Sequence, residues 1–197
     1  MALTSSTEGE PFAADEQVAL LNIARASIEH GWRHGRALPV NLADYPESLR
    51  KQQATFITLE TGGQLRGCIG ALYPGQPLVQ DVADHAYAAA FDDPRFPELR
   101  PDEWPMLEIH ISVLSSPEPL HFGSEQDLLA QLRPGVDGLI LYFHGQRATF
   151  LPAVWESLPD PQAFLAHLKQ KAGLPLDFWS PELQVERYTT RYFGAAA

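Results

Sequence analysis

Cysteine is nearly absent from this sequence: Cys68 is alone in 197 residues. That excludes an internal disulfide and the stapled scaffold of a small secreted domain, and it fits a reducing compartment. Basic residues are also scarce, 14 Lys and Arg against 25 Asp and Glu, for a formal net charge of −11. With no Lys/Arg cluster, such a chain does not neutralise phosphates over a broad face, which argues against general nucleic-acid binding. No apolar run approaches the roughly 20 residues that span a bilayer. The first residues, Met1 to Ala14, lack a basic segment followed by an apolar one, so no secretory signal is expected. These exclusions predict a cytoplasmic protein without a membrane partner. There is no phosphate loop, no GxGxxG after a strand, no GxSxG and no HExxH. No pair among the seven histidines has metal-ligand spacing, so the expectation is no metal.

What is present reads as an ordinary folded protein with 45% hydrophobic residues, enough for one core or two small lobes. Residues 1–14 read as a flexible leader. Asp15 caps a helix with apolar positions Val18, Leu21, Ala24, Ile28 and Trp32, ended by Gly31 and Gly35. Residues 36–53 read as a connecting loop with one turn of helix near Glu47–Gln52. The segment 54–59 reads as a strand, 60–64 as a hairpin loop and 65–70 as the return strand. Pro77 opens an Ala-rich helix to Phe91, and Asp92–Pro97 is a stiff exit loop. Leu107 to Ser115 alternates as a half-buried strand. Ser124 caps a short helix to Leu132, two strands flank His144-Gly145-Gln146, and Asp160 caps a helix that Gly173 closes. A last strand covers 185–192 and residues 193–197 form a tail. Interleaved helices with hairpin-linked strands give an α+β fold, an antiparallel β-sheet flanked by helices.

The stretch Leu65-Arg66-Gly67-Cys68-Ile69-Gly70 stands apart. Glycine weakens a strand unless a backbone, a bulge or a ligand must come close. Alternation puts Leu65, Gly67 and Ile69 on one face and Arg66, Cys68 and Gly70 on the other. A neighbouring guanidinium favours a thiolate, and a histidine is the usual base for a thiol nucleophile. His110 is the candidate partner, provided that its strand lies near that of Cys68. The competing reading is a thiol that packs as a small hydrophobe. Arg66 and Arg95 are candidates for binding an anion, with Gly67 and Gly70 allowing close approach. For Arg66 the alternative is an internal ion pair to Glu108 or Asp93. His85 reads as a satisfied core histidine, and His144 as a solvated turn residue.

The hexapeptide resembles the hallmark of the AMMECR domain family, whose prokaryotic members include AmmeMemoRadiSam system protein A. Three further segments resemble that family in order: Asp93-Pro94-Arg95-Phe96-Pro97, Gly135-Val136-Asp137-Gly138-Leu139-Ile140, and Thr149-Phe150-Leu151-Pro152 leading to Val154-Trp155-Glu156. The likeness runs from about Asp15 to Tyr192, taken as a single domain. It implies a large lobe and a smaller one with the hexapeptide at the cleft between them. It also implies a modification pathway with Memo-like and radical SAM proteins. It names no cofactor and no reaction. Two functions stand side by side: a module binding a small anionic ligand or a partner protein at the motif, and a thiol-dependent enzyme with Cys68 as nucleophile.

Overall fold

The computed structural model describes residues 11–196. The first ten residues of the expected leader lie outside that range. Helix α1 (Ala14–His34) starts one residue before the predicted cap; Glu16 reaches back to accept from the Ala13 N–H at 3.1 Å. Gly35 closes it in the left-handed region at φ 63°. Its buried stripe contains Leu20, Leu21, Ala24 and Ile28, whereas Val18, expected inward, is exposed. A four-residue helix, α2 (Glu47–Arg50), lies within the expected loop and buries Leu49.

Strands β1 (Ala54–Thr61) and β2 (Gln64–Gly70) form the predicted hairpin, with a tighter turn. Gly62 and Gly63 both have positive φ, 59° and 73°, as a two-residue primed turn demands. Helix α3 (Leu78–Phe91) follows, and a 3-10 segment, Pro101–Met106, leads into β3 (Leu107–Leu114). The chain then forms β4 (Glu118–Pro119), α4 (Glu125–Gln131), β5 (Gly138–Phe143) and β6 (Gln146–Phe150). A 3-10 turn, Pro152–Glu156, precedes α5 (Pro161–Lys171), β7 (Gln184–Tyr188) and β8 (Thr190–Ala196).

The expected last strand is in fact two. The chain breaks at Thr189, and β7 and β8 join different sheets. The segment expected as a small-residue tail is β-strand through Ala196. The fold is α+β, with two four-stranded sheets in the orders β2-β1-β3-β8 and β4-β7-β5-β6.

The chain divides into two compact units, residues 1–115 with 191–197, and residues 116–190. In the first, Ile57 and Leu59 of β1 and Ile109, Ile111 and Val113 of β3 face α1 and α3, and all are buried. Ser27 ties the two helices, donating to the Ala83 carbonyl at 2.6 Å. Thr55, buried, donates to Asp81 of α3 at 2.6 Å, and His85 Nδ1 lies 3.0 Å from the same carboxylate oxygen. His85 is thus the satisfied helix residue expected.

In the second unit, Trp155 stacks on Phe164 at 3.8 Å between ring centres and donates to the Asp137 carbonyl. Asp137, fully buried, pairs with Arg133 at 2.7 Å, and the Tyr188 ring lies against Gly138. Lys169 is also fully buried, its ammonium 2.6 Å from Glu125.

Candidate functional site

Cys68 lies near the middle of β2, an outer strand of the first sheet. It is directly opposite Thr58 on β1, and Thr58 is directly opposite His110 on β3. Residues opposite one another share a face, so Cys68, Thr58 and His110 form one row across three strands. That face is opposite the buried side carrying Ile57, Leu59, Ile109 and Ile111. The Cys68 sulfur is 3.3 Å from the Thr58 hydroxyl and half-buried. His110 lies on the Cys68 face, but its strand is not the neighbour of β2 on which the pairing with Cys68 depended: β1 lies between them.

The outward-pointing main-chain groups of Cys68 are both taken. Its N–H donates to Asp93 Oδ2 at 2.9 Å, and its carbonyl accepts from Arg95 Nη2 at 3.1 Å. Asp93 and Arg95 bind each other through Nε at 2.9 Å and Nη2 at 2.7 Å. Two side chains from the loop after α3 therefore do for Cys68 what a neighbouring strand would do. The Asp93 carboxyl is held well below the usual carboxylate range. Its bonds with the Arg95 guanidinium and the Cys68 and Arg95 N–H groups outweigh its burial.

Arg66 has a different partner from either expected. Its Nε donates to Glu103 Oε1 at 2.6 Å and its Nη2 to Glu103 Oε2 at 3.1 Å and the Glu98 carbonyl at 3.2 Å. This ion pair joins β2 to the 3-10 segment before β3 and holds Glu103 below its usual pKa. Arg66 is also the extra residue of a bulge: Leu59 opposes Gly67, but Glu60 opposes Leu65. The bulge moves Leu65 off the core face assigned to it by alternation and leaves it exposed. Gly67 and Gly70 are tightly packed. A Cβ on either would meet main-chain oxygen, that of Ala89 in α3 for Gly67 and that of Thr55 for Gly70. Their smallness serves helix–sheet and strand packing.

Spacing along the chain does not show which ligand-type side chains meet in the fold. Strand pairing brings Glu60 of β1 together with Glu108 and His110 of β3, their ligand atoms within 4.8 Å of one another. Sequence separation conceals this, because Glu60 and Glu108 meet only through the register of β1 with β3. His144, at φ 45° in its turn, is exposed and paired with Glu182 at 2.6 Å.

The family model for AMMECR1 matches residues 21–193. The chain belongs to the AMMECR1 family. A protein of Methanothermobacter thermautotrophicus is 39% identical over 189 residues, covering 93% of this chain and 96% of that one. A protein of Thermotoga maritima is 36% identical, over 84% of this chain and 91% of its own. The crystal structure of an uncharacterised protein from Pyrococcus horikoshii superposes with a TM-score of 0.82 at 33% identity, covering 89% of each chain. The AMMECR1 likeness therefore includes both units, and the hexapeptide strand lies within the matched span. No helix among the described residues is long and apolar enough to cross a membrane.

Proposed function

We propose that this AMMECR1-family protein is a binding module. Its recognition surface is the Cys68 stretch of β2 with the Asp93–Pro97 loop. Arg95 receives an anionic group there, carried by a small molecule or a partner protein. The observation that carries this reading is the state of the Arg95 guanidinium. Its side chain is 54% exposed, its Nε and Nη2 are fixed by Asp93 and the Cys68 carbonyl, and the guanidinium also faces the Cys68 side chain. A guanidinium already held in one orientation loses little freedom when it binds a carboxylate or phosphate. Arg66, 12% exposed and committed to Glu103, is a strut rather than a receptor. Gly67 and Gly70 keep the strand close to its neighbours beneath this surface.

The thiol-enzyme reading has less support. The Cys68 sulfur has the Thr58 hydroxyl and the Arg95 guanidinium beside it, neither of which is a base at neutral pH, and His110 Nδ1 is bonded to Tyr192. The pathway implied by the family likeness makes a Memo-like or a radical SAM protein the companion to test first. Iodoacetamide labelling of Cys68 near neutral pH reports on the surface. Phosphate, pyrophosphate or citrate should slow labelling of the wild type and leave Arg95→Gln unaffected. If none of the three slows it, the anion reading fails. Fast labelling far below the ordinary thiol pKa of about 8.5 would restore the enzyme reading.

A further inference from the structure

On the same sheet face, beyond Thr58, two carboxylates and an imidazole converge. Glu60 and Glu108 are directly opposite each other in the β1–β3 register, and His110 is two residues along β3 from Glu108. Like charges directly opposite across an antiparallel pair repel and destabilise the pairing. Here the arrangement is built rather than tolerated. His110 Nε2 is buried, makes no hydrogen bond among the described residues, and lies 3.7 Å from a carboxylate oxygen of Glu60 and 3.7 Å from one of Glu108. Those separations are too long for hydrogen bonds. They are close to the ~3.4 Å expected between two ligand atoms that each bind a tetrahedral cation at about 2.1 Å.

The imidazole is also held for the task. Its Nδ1 lies 2.7 Å from the Tyr192 hydroxyl, and the two rings are stacked within 9°. Gly194 of β8 makes the space, since a Cβ there would meet Nδ1 at 2.2 Å. Metal-binding histidines are oriented in this way, with one nitrogen bonded to a protein oxygen and the other left to the ion. In the tautomer whose Nδ1–H donates to Tyr192 Oη, Nε2 keeps its lone pair, 3.7 Å from an oxygen of each carboxylate.

We infer that Glu60, Glu108 and His110 form a divalent-cation site of the zinc class. It has three protein ligands and a fourth position open to water or to a ligand atom. Nitrogen with carboxylate oxygen at tetrahedral spacing suits zinc better than calcium or magnesium, which favour larger all-oxygen shells. The ion would cancel the repulsion between Glu60 and Glu108 and link β1 to β3.

Calorimetric titration of the untagged full chain with zinc chloride tests this. One zinc should bind per chain, and Glu60→Gln, Glu108→Gln and His110→Gln should each weaken binding by about tenfold or more. His34→Ala, which opens the other close histidine pair, His30 with His34, should bind as wild type. In metal-free melts Glu108→Gln should unfold at or above the wild-type temperature. Zinc should then raise the wild-type Tm and not that of the variant. The site is disproved if wild type takes up no zinc at millimolar concentration, or if the three variants bind as wild type. Loss of binding in His34→Ala also disproves it, by placing the ion on α1. A metal-free Glu108→Gln melting well below wild type counts equally against it, because the three side chains would then satisfy one another without an ion.

Discussion

A methyl group on residue 67 would sit 2.1 Å from the carbonyl oxygen of Ala89, and main-chain oxygen in a helix cannot step aside cheaply. Gly67→Ala should therefore push α3 off β2 and cost about 1–3 kcal/mol, the usual range for overpacking. Urea unfolding measures it; a change within error would mean that the sheet edge yields freely. In a sequence, a glycine beside a cysteine looks the same whether the neighbour it admits is a ligand or a helix. The hexapeptide was legible as a special place, and the residue type of each member was meaningful. What each residue touches was not legible, because Ala89 and Glu103 reach the motif from distant parts of the chain. His110 illustrates both sides. Alternation put it on one face with Glu108, but the register that inserts Thr58 between His110 and Cys68 and recruits Glu60 has no signature along the chain.

Between elements, the Asp93–Arg95 pair is the link with the clearest pH signature. Asp93 is ionised in the folded protein far below the ordinary carboxyl range, so its folded pKa lies below the unfolded one. The stabilisation it gives is complete above about pH 4, the unfolded value, and is lost as the pH falls towards the folded one. Asp93→Asn should then cost about 1–3 kcal/mol at neutral pH, the cost of an under-satisfied buried group. The gap to wild type should narrow in acid. Denaturation of both proteins near pH 7 and near pH 3 gives the two gaps; an equal gap at both would mean that Asp93 contributes through shape alone. Helices α3, α4 and α5 and the first hairpin were readable because proline, caps and alternation act locally. The bulge at Arg66 and the division of the last strand at Thr189 were not. The bulge is set by the register of β2 on β1, which resumes on both sides of Arg66, and the division at Thr189 by the pairing of β7 and β8 in different sheets.

At the level of the molecule, residues 116–190 are an insertion between two strands of the first sheet, β3 and β8. Their two ends meet within their own sheet, where Glu118 opposes Arg187 and Pro119 opposes Glu186. A unit with adjacent ends and its own core, around Trp155, Phe164 and Leu165, meets the conditions for folding alone. Residues 116–190 expressed separately should give a cooperative thermal transition with near-ultraviolet dichroism from Trp155. A broad, featureless melt would mean that this core needs the rest of the chain.

The place of β8 after that insertion has a consequence for synthesis. A ribosome releases β1, β2 and β3 before the whole of the second unit, and β8 only after it. While the second unit closes its sheet, the nascent first unit waits with the β3 edge open. Tyr192 and Gly194, which seat the His110 ring, emerge with β8. Capture of an ion by this imidazole would therefore have to wait until the whole second unit has been synthesised.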